Sequence, residues 1–177
     1  MKVRVIGAVN TTALTIKLLH RHNFEIVGVL GHEPENASKV SGLADLRNLS
    51  EQLNTPFKGF QKINDERNLE WMKSKNPDLL FAVGFSQLLS DNWLQLTELG
   101  CIGFHPTMLP RGRGRAPLAW IILEEREGAA TFFLMSGGAD DGPVFVQKPF
   151  ELSEQDDVET VKTKIHDAMV LALNEWL

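Results

Sequence analysis

The strongest constraint on this chain is a repeated alternation. Short β-branched apolar runs are each ended by turn or cap residues and followed by a segment with helical spacing. Val3 to Val9 is nearly continuous and apolar, as a strand buried on both faces requires. Asn10-Thr11-Thr12 can cap a helix over roughly Ala13–Arg21. "FEIVGVL", Phe24 to Leu30, is a second strand, and a polar loop leads to a helix near Leu43–Leu53. "TPFKGF" is a weak third strand and Glu66–Lys75 a helix. Pro77-Asp78 opens the strand "LLFAVG", Ser90-Asp91 caps a helix through Leu99, and Cys101–Phe104 is the next strand. This β-α-β-α rhythm predicts an α/β fold: a mostly parallel sheet with helices on both faces. Beyond His105 the rhythm changes. Ala116–Glu125 reads as a helix. Ala130–Met135 and Pro143–Lys148 read as strands joined by "SGGADDG". Val158, Val161, Ile165, Met169, Ala172 and Trp176 have the spacing of a helix packed on the sheet.

Length and composition narrow the class. The 177 residues suit one domain, 1–177, with no repeat, low-complexity tract or linker. No apolar run reaches the ~20 residues needed to cross a bilayer, and the charged start "MKVRVI" lacks a signal peptide's apolar stretch. No membrane role is expected. A lone cysteine, Cys101, excludes an internal disulfide and a cysteine-based metal cluster, and fits a cytoplasmic setting. A net charge of -5 disfavours broad nucleic-acid binding through phosphate neutralisation. A local basic patch remains open, and Arg111, Arg113 and Arg115 could form one.

In open parallel sheets ligands bind beyond the carboxyl ends of the strands. His105 sits at such an end, as do Gly84-Phe85-Ser86-Gln87 after the preceding strand. Asp140 and Asp141 lie in a loop that can return to the same edge. "VIGAVN" carries one glycine where a dinucleotide fold needs three, so Gly7 reads as a tight strand-to-helix turn. His20, His22, His32 and His166 pair at no metal-ligand spacing, and no metal is expected. His105 has two readings: a core histidine, or an acid, base or oxyanion donor braced by Pro106 and Pro110. "GGADDG" is either a solvated turn or a ligand loop with one aspartate turned inward. The arginines of "PRGRGR" form either a solvated loop or a grip on phosphate oxygens.

Taken together, "FHPTMLPRGRGRAPLAW" and "ATFFLMSGGADDGPVF" resemble the folate-dependent formyltransferases. That family formylates methionyl-tRNA, glycinamide ribonucleotide or nucleotide-linked amino sugars. Its hallmark is Asn-x-His-x-Ser-Leu-Leu-Pro, then a helix, a Thr-containing strand and Asp-x-Gly. "HPTMLP" matches from His105 to Pro110, with Thr107 in the serine place, and "DDG" puts Asp140 in the catalytic aspartate's place. "RGRAPLAW" looks most like the sugar-directed members. The resemblance implies a Rossmann-like sheet and a formyl group carried from N10-formyltetrahydrofolate to an amine without a metal. It makes His105 the oxyanion donor and Asp140 the proton relay. Thr107, Arg111, Arg113 and Arg115 fall to the substrate, and Phe85, Ser86, Gln87 and Leu88 with Ser136, Gly137, Gly138 and Ala139 to the folate.

Two departures stand out. The family asparagine lies two residues before the histidine, where this chain has Gly103. Loss of one oxyanion donor typically lowers the rate by about 10²–10³. Gln87, Ser86, an arginine or water would supply the bond, or the acceptor would not need it, or transfer would be slow or absent. The tRNA-directed members also carry an extra C-terminal β-domain, and this sequence ends at Leu177, as a small-molecule enzyme or a piece of a longer protein would. The leading expectation is formylation of a small amine, most readily an amino sugar on a nucleotide carrier. A catalytically silent folate- or nucleotide-binding domain and a formyltetrahydrofolate hydrolase are the rivals.

Overall fold

The computed structural model describes residues 1–124 and 127–177. They divide into two compact units, Met1–Ile102 and Gly103–Leu177.

The first unit alternates strand and helix. Its elements are β1 (Lys2–Gly7), α1 (Asn10–Arg21), β2 (Glu25–His32), α2 (Leu46–Gln52), β3 (Phe57–Phe60), α3 (Glu66–Lys73), β4 (Leu79–Val83) and a short α4 (Asp91–Leu94). β1 pairs in parallel with β2 and β4, and β2 with β3, so the order is β3-β2-β1-β4. Val3, Val5 and Ile6 are wholly buried, which explains the continuous apolar run at the start of the chain. Thr12 stitches the first strand-to-helix turn. Its hydroxyl accepts from the Ala8 N–H at 3.0 Å and donates to the Val83 carbonyl at 2.6 Å. The helix therefore starts earlier than the sequence predicts, with Val9 rather than Asn10-Thr11-Thr12 as its N-cap.

Two further differences have local causes. α4 stops at Leu94 instead of Leu99. Trp93 is fully buried, and beyond it Thr97 closes a turn by donating to the Gly100 carbonyl at 2.5 Å. Gly100 then takes φ 86° and ends the segment. Arg4, in the middle of β1, is also fully buried. Its guanidinium lies 4.6 Å from the Trp71 ring centroid and donates from Nη1 to the Trp71 carbonyl. Among the described residues Nε and Nη2 have no hydrogen-bond partner. Burial pushes its pKa down to about 10.

The second unit carries most of β5 (Cys101–Thr107), then α5 (Pro117–Leu123), β6 (Gly128–Leu134), β7 (Val144–Phe150) and α6 (Val158–Trp176). The order is β5-β6-β7. β6 and β7 are antiparallel, from Gly128 opposite Phe150 to Phe133 opposite Val144. The Ala116–Glu125 helix expected from the sequence is observed as Pro117–Leu123, and Glu125 lies outside the described residues. α6 lies against β6 and β7. Its buried face is Val161, Ile165, Ala168, Met169, Ala172 and Leu173, whereas Val158 in the first turn is exposed. Asp157 caps α6, its carboxylate accepting from the Glu159 and Thr160 N–H groups at 3.0 and 2.9 Å. Phe104, Phe132, Phe145 and Trp176 form a chain of ring contacts.

Candidate active site

β5 delivers His105 to its carboxyl end, and the loop that follows folds back over the ring. His105 is only 6% exposed. Its Nε2 lies 2.9 Å from the Gly112 carbonyl oxygen. A carbonyl can only accept, so Nε2 carries a hydrogen and the tautomer is fixed. Nδ1 faces Asp140 Oδ2 at 3.5 Å. The same Oδ2 accepts the Gly114 N–H at 2.9 Å. One loop thus holds both groups through its main chain, the imidazole by an acceptor at 112 and the carboxylate by a donor at 114. The two glycines sit at φ 73° and 98°, left-handed values that a side chain would strain.

The loop is itself braced. The Thr107 hydroxyl donates to the Arg111 carbonyl at 3.0 Å. Thr131 on β6 donates to the Thr107 carbonyl at 2.6 Å, and Gln147 on β7 donates to Thr131 Oγ1 at 2.8 Å and to the Leu109 carbonyl at 3.3 Å. The Leu109–Pro110 peptide is cis. Buried polar groups satisfied this fully hold one geometry.

The two aspartates of "DDG" part company. Asp140 takes φ 50°, a left-handed conformation that Asp tolerates, and turns toward Gly114 and His105. Asp141 is exposed and accepts from the Ser136 hydroxyl. Ser136, Gly137, Gly138 and Ala139 are all exposed. Thr107 is buried, and its hydroxyl serves the loop. Arg111 and Arg113 line a cleft of about 850 Å³ together with Gly112, Trp120 and Glu127, whereas Arg115 is exposed outside that lining. Among the described residues no group of three or more His, Cys, Asp or Glu could hold a metal ion, and no helix is long and apolar enough to cross a membrane.

In the first unit, Phe85 stacks edge-on against Phe60, Ser86 is exposed and Leu88 is 75% exposed. Gln87 is committed at both ends of its amide, accepting from the Ile63 N–H at 2.8 Å and donating to the Gln61 carbonyl at 2.6 Å. These two bonds brace a loop and fix the amide's orientation, leaving one Nε2 hydrogen uncommitted. Gly103 is filled rather than vacant. A Cβ there would lie 2.7 Å from Phe133 Cζ and 2.9 Å from Met135 Cγ. The sequence reading missed the carbonyl of Gly112, the N–H of Gly114 and the indole of Trp120. Main-chain partners leave no side-chain signature, and "APLAW" reads as helix before it reads as a cleft.

An imidazole and a carboxylate fixed to one glycine-containing loop form a pair that can handle protons, on a sheet of the α/β class. The comparisons specify it further: the family model described as formyl transferase matches residues 1–177, and the chain belongs to that family. It is 30% identical over 174 residues to the methionyl-tRNA formyltransferase of Clostridioides difficile, covering 96% of this chain and 55% of that protein. A similar match to the methionyl-tRNA formyltransferase of Thermotoga maritima is 29% identical and covers 88% of this chain and 52% of that one. The chain thus spans about half the length of these relatives. In structure it is similar to phosphoribosylglycinamide formyltransferase from Bacillus halodurans, with TM-score 0.82, 18% identity and coverage of 100% of this chain and 95% of that one. It is also similar to a formyltetrahydrofolate deformylase from Pseudomonas putida, with TM-score 0.75, 19% identity and coverage of 98% and 62%.

Proposed function

We propose that the chain transfers a formyl group from N10-formyltetrahydrofolate to a primary amine, and that the amine is an amino sugar on a nucleotide carrier. The observation that carries the reading is the approach of two groups 35 positions apart in sequence, His105 and Asp140, to 3.5 Å, both held by the main chain of residues 112–114. Family membership supplies the reaction class. The sugar acceptor rests on the "RGRAPLAW" stretch, with Arg111 and Arg113 in the cleft beside Gly112. The net charge of -5 favours a small acceptor over a nucleic acid.

The donor supplies an activated formyl carbon and leaves as tetrahydrofolate. The exposed Ser136–Ala139 main chain fits a pteridine held by backbone groups. His105 works through Nδ1, because Nε2 is committed to Gly112. A hydrogen carried on Nδ1 is donated to the formyl oxygen while negative charge builds there. Asp140 is held by the Gly114 N–H and takes the proton that the attacking amine must lose. That proton goes on to N10 of the departing folate, so charge and atoms balance. Thr107, with Thr131 and Gln147 behind it, keeps the loop in register.

Incubation with the donor and a panel of amines, read by mass spectrometry for the gain of one formyl group, tests the reading. The panel includes nucleotide-linked amino sugars, glycinamide ribonucleotide and methionyl-tRNA. No formylated product from any amine would defeat it. One observation favours a second reading. Phe133 and Met135 occupy the space where a side chain at 103 would begin, which suits a domain that binds the folate without transferring its formyl group. Saturable folate binding with neither product nor formate would establish that reading, and amine-independent formate release would establish hydrolysis.

A further inference from the structure

The first unit holds a charged side chain that the transfer chemistry does not use. Arg4 lies in the middle of β1 with no exposed surface. A guanidinium stays protonated in a protein, so a full charge is buried there. Nη1 is committed, donating to the Trp71 carbonyl and lying 3.4 Å from Met72 Sδ. Nε and Nη2 meet no acceptor among the described residues. Those two atoms form the side-on edge of the guanidinium, whose parallel N–H groups match the two oxygens of a carboxylate. Burial lowers the pKa of Arg4 to about 10, and no neighbouring acid offsets the shift. A buried charge without a partner is costly.

The backbone is irregular at the same place. β1 and β2 pair in parallel, yet their register slips here: Val3 faces Ile26 and Arg4 faces Gly28, so Val27 is an extra residue in β2. Bulges are rare in parallel pairs, and they re-aim side chains beside functional sites. Gly28 leaves the space that the Trp71 ring fills, because a Cβ there would lie 2.8 Å from Trp71 Cη2. The indole therefore lies over both strands, its centroid 4.6 Å from the guanidinium carbon of Arg4. The main chain of Trp71 is anchored, since Arg4 Nη1 and the Ser74 hydroxyl both donate to its carbonyl. The residue itself is only partly buried. Met72, the other neighbour, has a flexible thioether that adapts to a changed filling.

We propose that Arg4 is the floor of an internal anion site and Trp71 its lid: the indole turns outward on a fixed main chain, and a monocarboxylate of formate size takes the Nε–Nη2 edge. The donors set the ligand class. Two parallel N–H groups select a pair of oxygens over a single halide, and a site roofed by one indole suits a small anion. The site belongs to the first unit alone and is independent of formyl transfer.

The test replaces sodium chloride by sodium formate at constant ionic strength and follows thermal melting and intrinsic fluorescence. The wild type gains stability saturably, and at ten times the Kd its folded-to-unfolded ratio rises about elevenfold. Tryptophan emission changes over the same concentrations as the ring leaves the guanidinium, and Trp71→Phe removes that change. Arg4→Met does not respond to formate. Arg4→Lys keeps the charge without the fork and binds at least tenfold more weakly. No saturable response of the wild type overturns the proposal, because water or chloride then serves the edge equally well. A response that Arg4→Met or Arg4→Lys retains in full also overturns it, because the anion then binds elsewhere. Trp71→Phe decides the matter even where the Arg4 variants do not fold: an emission change that it leaves intact sinks the lid and the site with it.

Discussion

Restoring an asparagine at position 103 is the obvious repair of the chain's departure from the family pattern, and the structure says it will fail alone. The new Cβ would lie 2.7 Å from Phe133 Cζ and 2.9 Å from Met135 Cγ, both under ordinary contact distance. The position is buried, so the neighbours must shift, and overpacking of this kind typically costs about 1–3 kcal/mol. The amide then sits against a phenyl ring and a thioether, and an unsatisfied buried polar group adds about 1–3 kcal/mol. Gly103→Asn is therefore expected to lose about 2–6 kcal/mol of a typical stability of about 5–15. For a chain of this size that lowers Tm by about 4–24 °C. Urea denaturation of the wild type, Gly103→Asn, Phe133→Ala and the double variant closes a cycle. The double variant should recover at least about 1 kcal/mol of the sum, as residues in direct contact do. Formyl transfer should rise only in the double variant. An unchanged denaturation midpoint for Gly103→Asn, or additivity in the cycle, would show that Phe133 does not fill the position and that the steric argument is wrong.

Other expectations follow the same geometry. Asp140→Asn should lower turnover by about 10²–10⁴ with the fold intact by circular dichroism, the usual size of a lost proton relay; near-normal turnover removes the carboxylate from the reaction. Arg4→Met should raise stability by about 1–3 kcal/mol in urea. The depression of its pKa from 12.5 to about 10 corresponds to about 3 kcal/mol of unfavourable burial, partly offset by the Trp71 contact; a large fall in the midpoint would show that the guanidinium is satisfied. Asp156 is held at a pKa of about 2, below the usual 3.8, chiefly by Lys164. A carboxyl depressed in the folded state contributes stability above its unfolded pKa and loses it as pH falls through the folded one. Thermal melts should thus weaken as pH drops from 3.8 toward 2, and Lys164→Met should flatten that limb.

Much of the fold was legible because it is written in side-chain type. β4 is buried on both faces and reads as an unbroken apolar run, and β1 reads as one interrupted by the buried Arg4. α6 shows its buried stripe at helical spacing, apart from Val158, which the spacing includes and the first turn leaves in solvent. α4 was overread because Trp93 and Leu96 imitate a helical face, while the turn closed by Thr97 onto the Gly100 carbonyl has no apolar pattern. In the site, His105 and Asp140 stood out by position and by resemblance. Their holders did not, since a carbonyl at Gly112 and an N–H at Gly114 look like any glycine loop. Gln87 looked available until its amide was found spanning Ile63 and Gln61. Polar side chains in loops announce that they bond, not to what.

The loop from 111 to 114 alternates its duties residue by residue. Arg111 and Arg113 contribute side chains to the cleft, while Gly112 and Gly114 contribute only peptide groups to the imidazole and carboxylate. Substitution of the arginines would change the cleft and leave in place the peptide groups that hold the imidazole and the carboxylate. On the proposed reading, a lineage built on this loop would change what it formylates while inheriting how it does so.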